Sequence, residues 1–106
     1  MSQQPEPPKA YRAFVTRFPK LGQAWDLMAE AGQEGPLDAR TARLVKLAVA
    51  IGAGREGAVH ASARKALAMG ITPAELEQVV ALVAGTLGMP AAVAAHRWIQ
   101  DVTEKK

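Results

Sequence analysis

The sequence predicts an all-α protein of five to six helices, and three observations carry that reading. Apolar residues recur at helical spacing along most of the 106 residues, and no stretch alternates apolar and polar side chains as a half-buried strand does. The interruptions fall on glycine and proline in the places helix ends favour: Gly32, Gly70 and Gly88 after apolar segments, Pro73 at a helix start. The chain holds only five aromatics (Tyr11, Phe14, Phe18, Trp25 and Trp98), so its core must come from Ala, Leu, Val and Ile, small side chains that let helices approach closely.

Residues 1–10, with Pro5, Pro7 and Pro8 among polar neighbours, read as a mobile tail before a single domain over 11–106. Tyr11, Phe14 and Phe18 lead into Pro19, and Leu21, Trp25 and Met28 continue the spacing to Gly32, which gives a first helix. Asp38 then caps a second helix, with Leu44, Leu47, Ala48 and Ile51 on one stripe and Val45 and Val49 beside it, a breadth that predicts a central, largely buried element. Gly52, Gly54 and Gly57 form a turn. A third helix follows with Val59, Ala63, Ala66 and Leu67 inward and stops at Gly70. Thr72-Pro-Ala-Glu75 is a capping box that opens a fourth helix carrying Leu76, Val79, Val80, Val83 and Leu87. Gly88-Met-Pro90 opens the fifth, with Val93, Trp98, Ile99 and Val102.

Composition excludes several chemistries. Without cysteine there is no disulfide, thiolate zinc site or protein-thiol catalysis. No apolar run reaches the roughly 18 residues a membrane span needs, and MSQQPEPPKAYR lacks the basic-then-apolar order of a signal peptide, so no membrane partner and a cytoplasmic location are expected. The net charge is +3, but Arg and Lys are scattered among acids, and no nucleic-acid partner is expected. A chain this short has an unfavourable surface-to-volume ratio, so self-association is the expected remedy, with Trp25, Trp98 and the apolar breadth of helices two and four as interface material.

One short stretch carries candidate chemistry. Glu56 and His60 are one helical turn apart, at the border of the stripe formed by Val59, Ala63 and Ala66, while Arg64 and Lys65 turn toward solvent. A partly shielded carboxylate beside an imidazole is an arrangement suited to acid–base work near neutral pH. The same spacing is also that of a simple i, i+4 stabilising pair. Two ligands without a third make no convincing metal site, so no metal and no cofactor are expected. His96 reads as an interface or capping histidine, and Gly52-Ala-Gly54 as a turn, since no strand precedes it. Arg40, Arg43 and Lys46 read as a solvated face near the start of helix two, with Arg43 the one directed to a site.

Three segments, Gly35–Ala50, Glu56–His60 with Arg64–Gly70, and Ile71–Leu76 running into helix four, resemble the carboxymuconolactone decarboxylase and alkylhydroperoxidase-D-like family over about residues 11–102. The resemblance implies an all-helical subunit with a central antiparallel helical hairpin, assembled as homotrimers or as hexamers built from them. In the redox branch of that family an acid, two cysteines and a histidine fall where this chain has Arg43, Arg55, Ala58 and Ser62, so a thiol peroxidase is excluded by chemistry. The likeness is to a cysteine-free branch, with Ser62 where that branch shows a second histidine. By that likeness His60 is the acid–base group and Glu56 its orienting partner or the proton acceptor; Arg43 or Arg55, with Ser62, forms the substrate-binding set for a small carboxylate. The implied activity is that of a cofactor-free lyase or isomerase on a carboxylated or lactone-like metabolite. The competing reading is a non-catalytic oligomeric scaffold or ligand-binding protein in which the site has decayed; a third, a thiol-independent peroxidase, rests on the family label alone and is disfavoured by the absence of cysteine.

Overall fold

A computed structural model describes residues 7–104, and the chain forms two compact units that part between Leu37 and Asp38. All of the secondary structure in the described residues is helical, in six helices. None of them is long and apolar enough to cross a membrane. Most of the expected N-terminal tail lies outside the described residues, although Lys9 and Ala10 belong to the first turn of a helix.

The first unit holds α1 (Lys9–Arg17) and α2 (Pro19–Gly32), where one helix was expected from Tyr11 to Gly32. Pro19 is the reason for the break. A residue before proline is driven out of the α region, and Phe18 sits at φ −129°, ψ 76° between the two helices. The helices meet where Gly22 has no side chain; a Cβ there would lie 3.0 Å from Cβ of Val15. Tyr11 and Trp25 approach with ring centroids 6.5 Å apart, Phe14 and Phe18 at 5.3 Å, and the Arg17 guanidinium lies 4.6 Å from the Phe18 centroid. None of the residues of α1 or α2 is buried, so this unit has no core of its own.

The second unit contains α3 (Ala39–Gly52), α4 (Glu56–Ala68), α5 (Pro73–Leu87) and α6 (Met89–Thr103). Each packs against two others: α3 against α4 and α5, α6 against α4 and α5. Leu47 and Ile51 of α3, Val59, Ala63 and Ala66 of α4, Leu76, Val79 and Val80 of α5, and Ala92, Ala95 and Ile99 of α6 fill the space between them, joined by Ile71. The second expected helix, α3, is less broadly buried than its sequence suggests. Val45 and Val49 remain 47% and 65% exposed, because only one stripe of α3 faces α4 and α5. Val93 is likewise exposed, while Trp98 lies partly buried against the core.

The ends of these helices follow from their sequence. Asp38 accepts a hydrogen bond from the Thr41 backbone N–H at 2.7 Å, which holds its carboxyl below the ordinary value of 3.8. Thr72 and Glu75 form the full capping box, and the Arg40 guanidinium pairs with the second carboxylate oxygen of Glu75, tying α3 to the start of α5. Both α3 and α4 end in a left-handed glycine with a paired set of returning hydrogen bonds. Gly54 N–H donates to Ile51 C=O and Arg55 N–H to Ala50 C=O; Gly70 N–H donates to Leu67 C=O and Ile71 N–H to Ala66 C=O. These motifs turn the chain sharply, so that only Ala53–Arg55 separates α3 from α4. Gly57, expected in that turn, is inside α4.

Two stability measurements check this account. Gly70 has φ +91° with nothing near an added Cβ, so Gly70→Ala should lower the urea-derived stability by about 1–2 kcal/mol through backbone strain alone, with the helical circular dichroism unchanged. Asp38→Ala should lower Tm at neutral pH. Because the folded-state carboxyl is depressed, the difference from wild type is full above pH 3.8 and disappears as pH falls through the lower folded value. A Tm difference that persists undiminished in strong acid would contradict the cap.

Candidate functional site

Helix α4 presents two polar faces, because it is flanked by α6 on one side and α3 on the other. Residues 60 and 62 differ by about 200° around the helix axis, so His60 and Ser62 point to different neighbours.

On the α6 side, His60 Nε2 lies 3.0 Å from Asp101 Oδ2 and 3.9 Å from Glu56 Oε2. The imidazole is the shielded member, with 23% of its side chain exposed against 52% for Asp101 and 56% for Glu56. A carboxylate only accepts, so the contact to Asp101 assigns the proton to Nε2 and leaves Nδ1 of neutral His60 as an acceptor. His60, Arg64, Leu67, Asp101 and Val102 line an open groove of about 320 Å³. The groove combines an oriented imidazole, a guanidinium and an apolar wall from Leu67 and Val102. That set can bind a small anion and exchange a proton with it.

The fold thus brings Glu56 and His60 together and adds a member that the sequence did not announce. Asp101 is 41 positions from His60 and belongs to the last turn of α6. No local spacing links the two; the only sequence signal is that Asp101 lies between Ile99 and Val102, at the border of the apolar stripe of α6. Asp101 makes the short contact to the imidazole, and Glu56 stands behind it at ion-pair distance. Arg64, expected on the solvent side, is exposed yet lines the groove. One ligand atom from each of Glu56, His60 and Asp101 falls within 4.8 Å of the others, so the set also supplies the third ligand that the sequence lacked for a divalent cation.

On the α3 side, Arg43 and Ser62 meet, with Arg43 Nη1 donating to Ser62 Oγ at 3.5 Å. Ser62 is 5% exposed, and Arg43 Nε is buried with no hydrogen-bond partner. Burial lowers the pKa of the guanidinium and, with the neighbouring charges of Arg43, Lys46 and Arg64, that of Lys65. Arg43 and Ser62 were expected in one binding set with Arg55, next to Glu56 and His60. Ser62 and His60 instead occupy separate faces of α4, and Arg55 is an exposed residue whose backbone closes the turn before α4. His96 neither caps a helix nor lies buried; its Nε2 is 3.4 Å from Glu77 Oε2 on α5.

Comparison with known proteins adds one match. The chain matches no curated protein and no solved structure significantly. A model of the carboxymuconolactone decarboxylase family matches residues 19–101, which span α2 through nearly all of α6 and include Arg43, Glu56, His60, Ser62, Arg64 and Asp101. With six helices among the described residues, no cysteine and a match over more than half its length, the chain belongs to the carboxymuconolactone decarboxylase family, as a member without redox thiols.

Proposed function

We propose that this protein is a cofactor-free lyase or isomerase in which His60 moves a proton to or from carbon in a small carboxylated or lactone-like substrate. The observation that supports it is the His60–Asp101 contact at 3.0 Å beside Arg64 in one groove. In this reading Asp101 fixes the imidazole and offsets the charge it acquires, Glu56 adds a second negative charge, and Arg64 holds the substrate carboxylate. For a decarboxylation the balance is simple. The bond to the leaving carboxylate breaks with its electrons remaining on carbon, carbon dioxide departs, and protonated His60 delivers its proton to that carbon. Solvent then reprotonates the imidazole.

A soluble cytoplasmic homo-oligomer, trimeric or hexameric, is part of the same proposal. It is supported by the absence of any buried residue in α1 and α2 and by the exposure of Trp25, Val45, Val49, Leu82 and Val93. The competing reading, an oligomeric ligand-binding protein without turnover, is supported by Ser62 and by the more than half-exposed carboxylates of Glu56 and Asp101.

Kinetics on a panel of carboxylated lactones separate the two. His60→Ala should lower kcat/KM by about 10²–10⁴-fold, the range of one acid–base group, Asp101→Asn should lower kcat, and Arg64→Ala should act mainly through KM. Activity should survive exhaustive chelation, whereas a metal-dependent reaction at Glu56, His60 and Asp101 would be lost. Full activity in His60→Ala would remove the proposal; binding of the panel without turnover by wild type would establish the alternative.

A further inference from the structure

We propose that the seam between α3 and α4 is a second binding site, taking a small oxyanion, carboxylate or phosphate, on Arg43, Lys65 and Ser62. The site is separate from the His60 groove, and the inference does not rest on the acid–base reading.

The first observation is an unmet donor. Arg43 uses Nη1 toward Ser62, and at 3.5 Å that is a long hydrogen bond. Its Nε is shut off from solvent and has no acceptor. In a guanidinium, Nε and Nη2 form a two-donor edge whose spacing matches the two oxygens of a carboxylate or phosphate, and Nη1 lies on the other side. Arg43 is therefore held by Ser62 on one edge, with the Nε of its oxyanion-binding edge unsatisfied.

The second observation is charge. Residues 43 and 46 are one turn apart on α3, and residues 62 and 65 nearly one turn apart on α4. With Ala53–Arg55 as the turn, the two pairs stand across from each other in the hairpin. Lys65 is half-buried rather than solvated, and it feels Arg43, Lys46 and Arg64 as repelling charges. Among the described residues no carboxylate comes within ion-pair distance of Arg43, Lys46 or Lys65; the ion pairs of this unit engage Arg40, His60 and His96. Gathering cations over a half-buried surface without a counter-charge is costly, and a bound oxyanion supplies both the missing charge and the missing acceptor.

The third observation is rigidity. Ser62 is the one polar residue buried among those described, fixed on the wall of the core beside Ala63. It holds one edge of the guanidinium in place before any ligand arrives, which reduces the ordering cost of binding.

The test is heteronuclear NMR and calorimetry on the full chain at constant ionic strength, with chloride replaced by inorganic phosphate or by benzoate at millimolar concentration. Saturable shifts should centre on the side-chain Nε–H of Arg43 and the amides of residues 62–65. Arg43→Gln should weaken binding at least tenfold and Lys65→Ala several-fold, while His60→Ala leaves it unchanged. That last control keeps this result distinct from the fate of the acid–base reading. Binding of phosphate alone or benzoate alone supports the site and names its chemistry. If Arg43→Gln does not fold, the wild-type shift map and Lys65→Ala decide the matter. No saturable response to either anion would overturn the proposal, as would shifts confined to the His60 groove. A third contrary outcome is a change of oligomer mass in Arg43→Gln without anion binding, because a carboxylate of a second copy would then be the acceptor.

Discussion

The small-residue face of α4 is the constraint on which the second unit depends. Val59, Ala63 and Ala66 are completely buried, and α4 is in contact with both α3 and α6. A helix can touch two neighbours at close range only if the side chains facing them are short, and alanine supplies that without loss of helix propensity. Larger residues at 63 or 66 would force the neighbours apart at a cost of about 1–3 kcal/mol. They would also move Asp101 from His60 and Arg43 from Ser62, since both contacts are bridged by the same helix.

From that placement follows a separation of charge across one helix. Toward α6, α4 shows an imidazole attended by two carboxylates, Asp101 at hydrogen-bond distance and Glu56 farther off. Toward α3 it shows a buried hydroxyl and a half-buried lysine, which face an α3 arginine without an acidic partner. The first face offers a geometry for proton transfer, because Asp101 orients an imidazole that lines a groove. The second is suited to holding negative charge. The absence of cysteine removes thiol chemistry from both.

Much of the second unit was legible in the sequence because its signals are local. The Asp38 cap, the Thr72/Glu75 capping box and the stop at Gly70 each depend on residues within a few positions of one another, and each appears as read. The helical class and the family likeness were equally legible. The split between α1 and α2 was written in Phe18-Pro19, but the periodicity of Leu21, Trp25 and Met28 continued across it and hid the break. The site was only half visible. Glu56 and His60 are a turn apart and announced themselves; Asp101 reaches His60 only through the packing of α6 on α4, a contact between distant parts of the chain. The grouping of Arg43, Ser62 and Arg55 with His60 comes from the family likeness, which matches positions along the chain and not the face of α4 that each residue meets.

The proposed chemistry depends on Asp101 orienting the imidazole of His60, and the most direct measurement is the tautomer of that ring. Long-range ¹⁵N–¹H correlation spectra of the neutral imidazole should show the proton on Nε2 and the lone pair on Nδ1, with the pattern collapsing toward a mixture in Asp101→Ala. A ring protonated on Nδ1, or a tautomer mixture in wild type that Asp101→Ala leaves unchanged, would show that Asp101 does not hold His60 and would contradict the account.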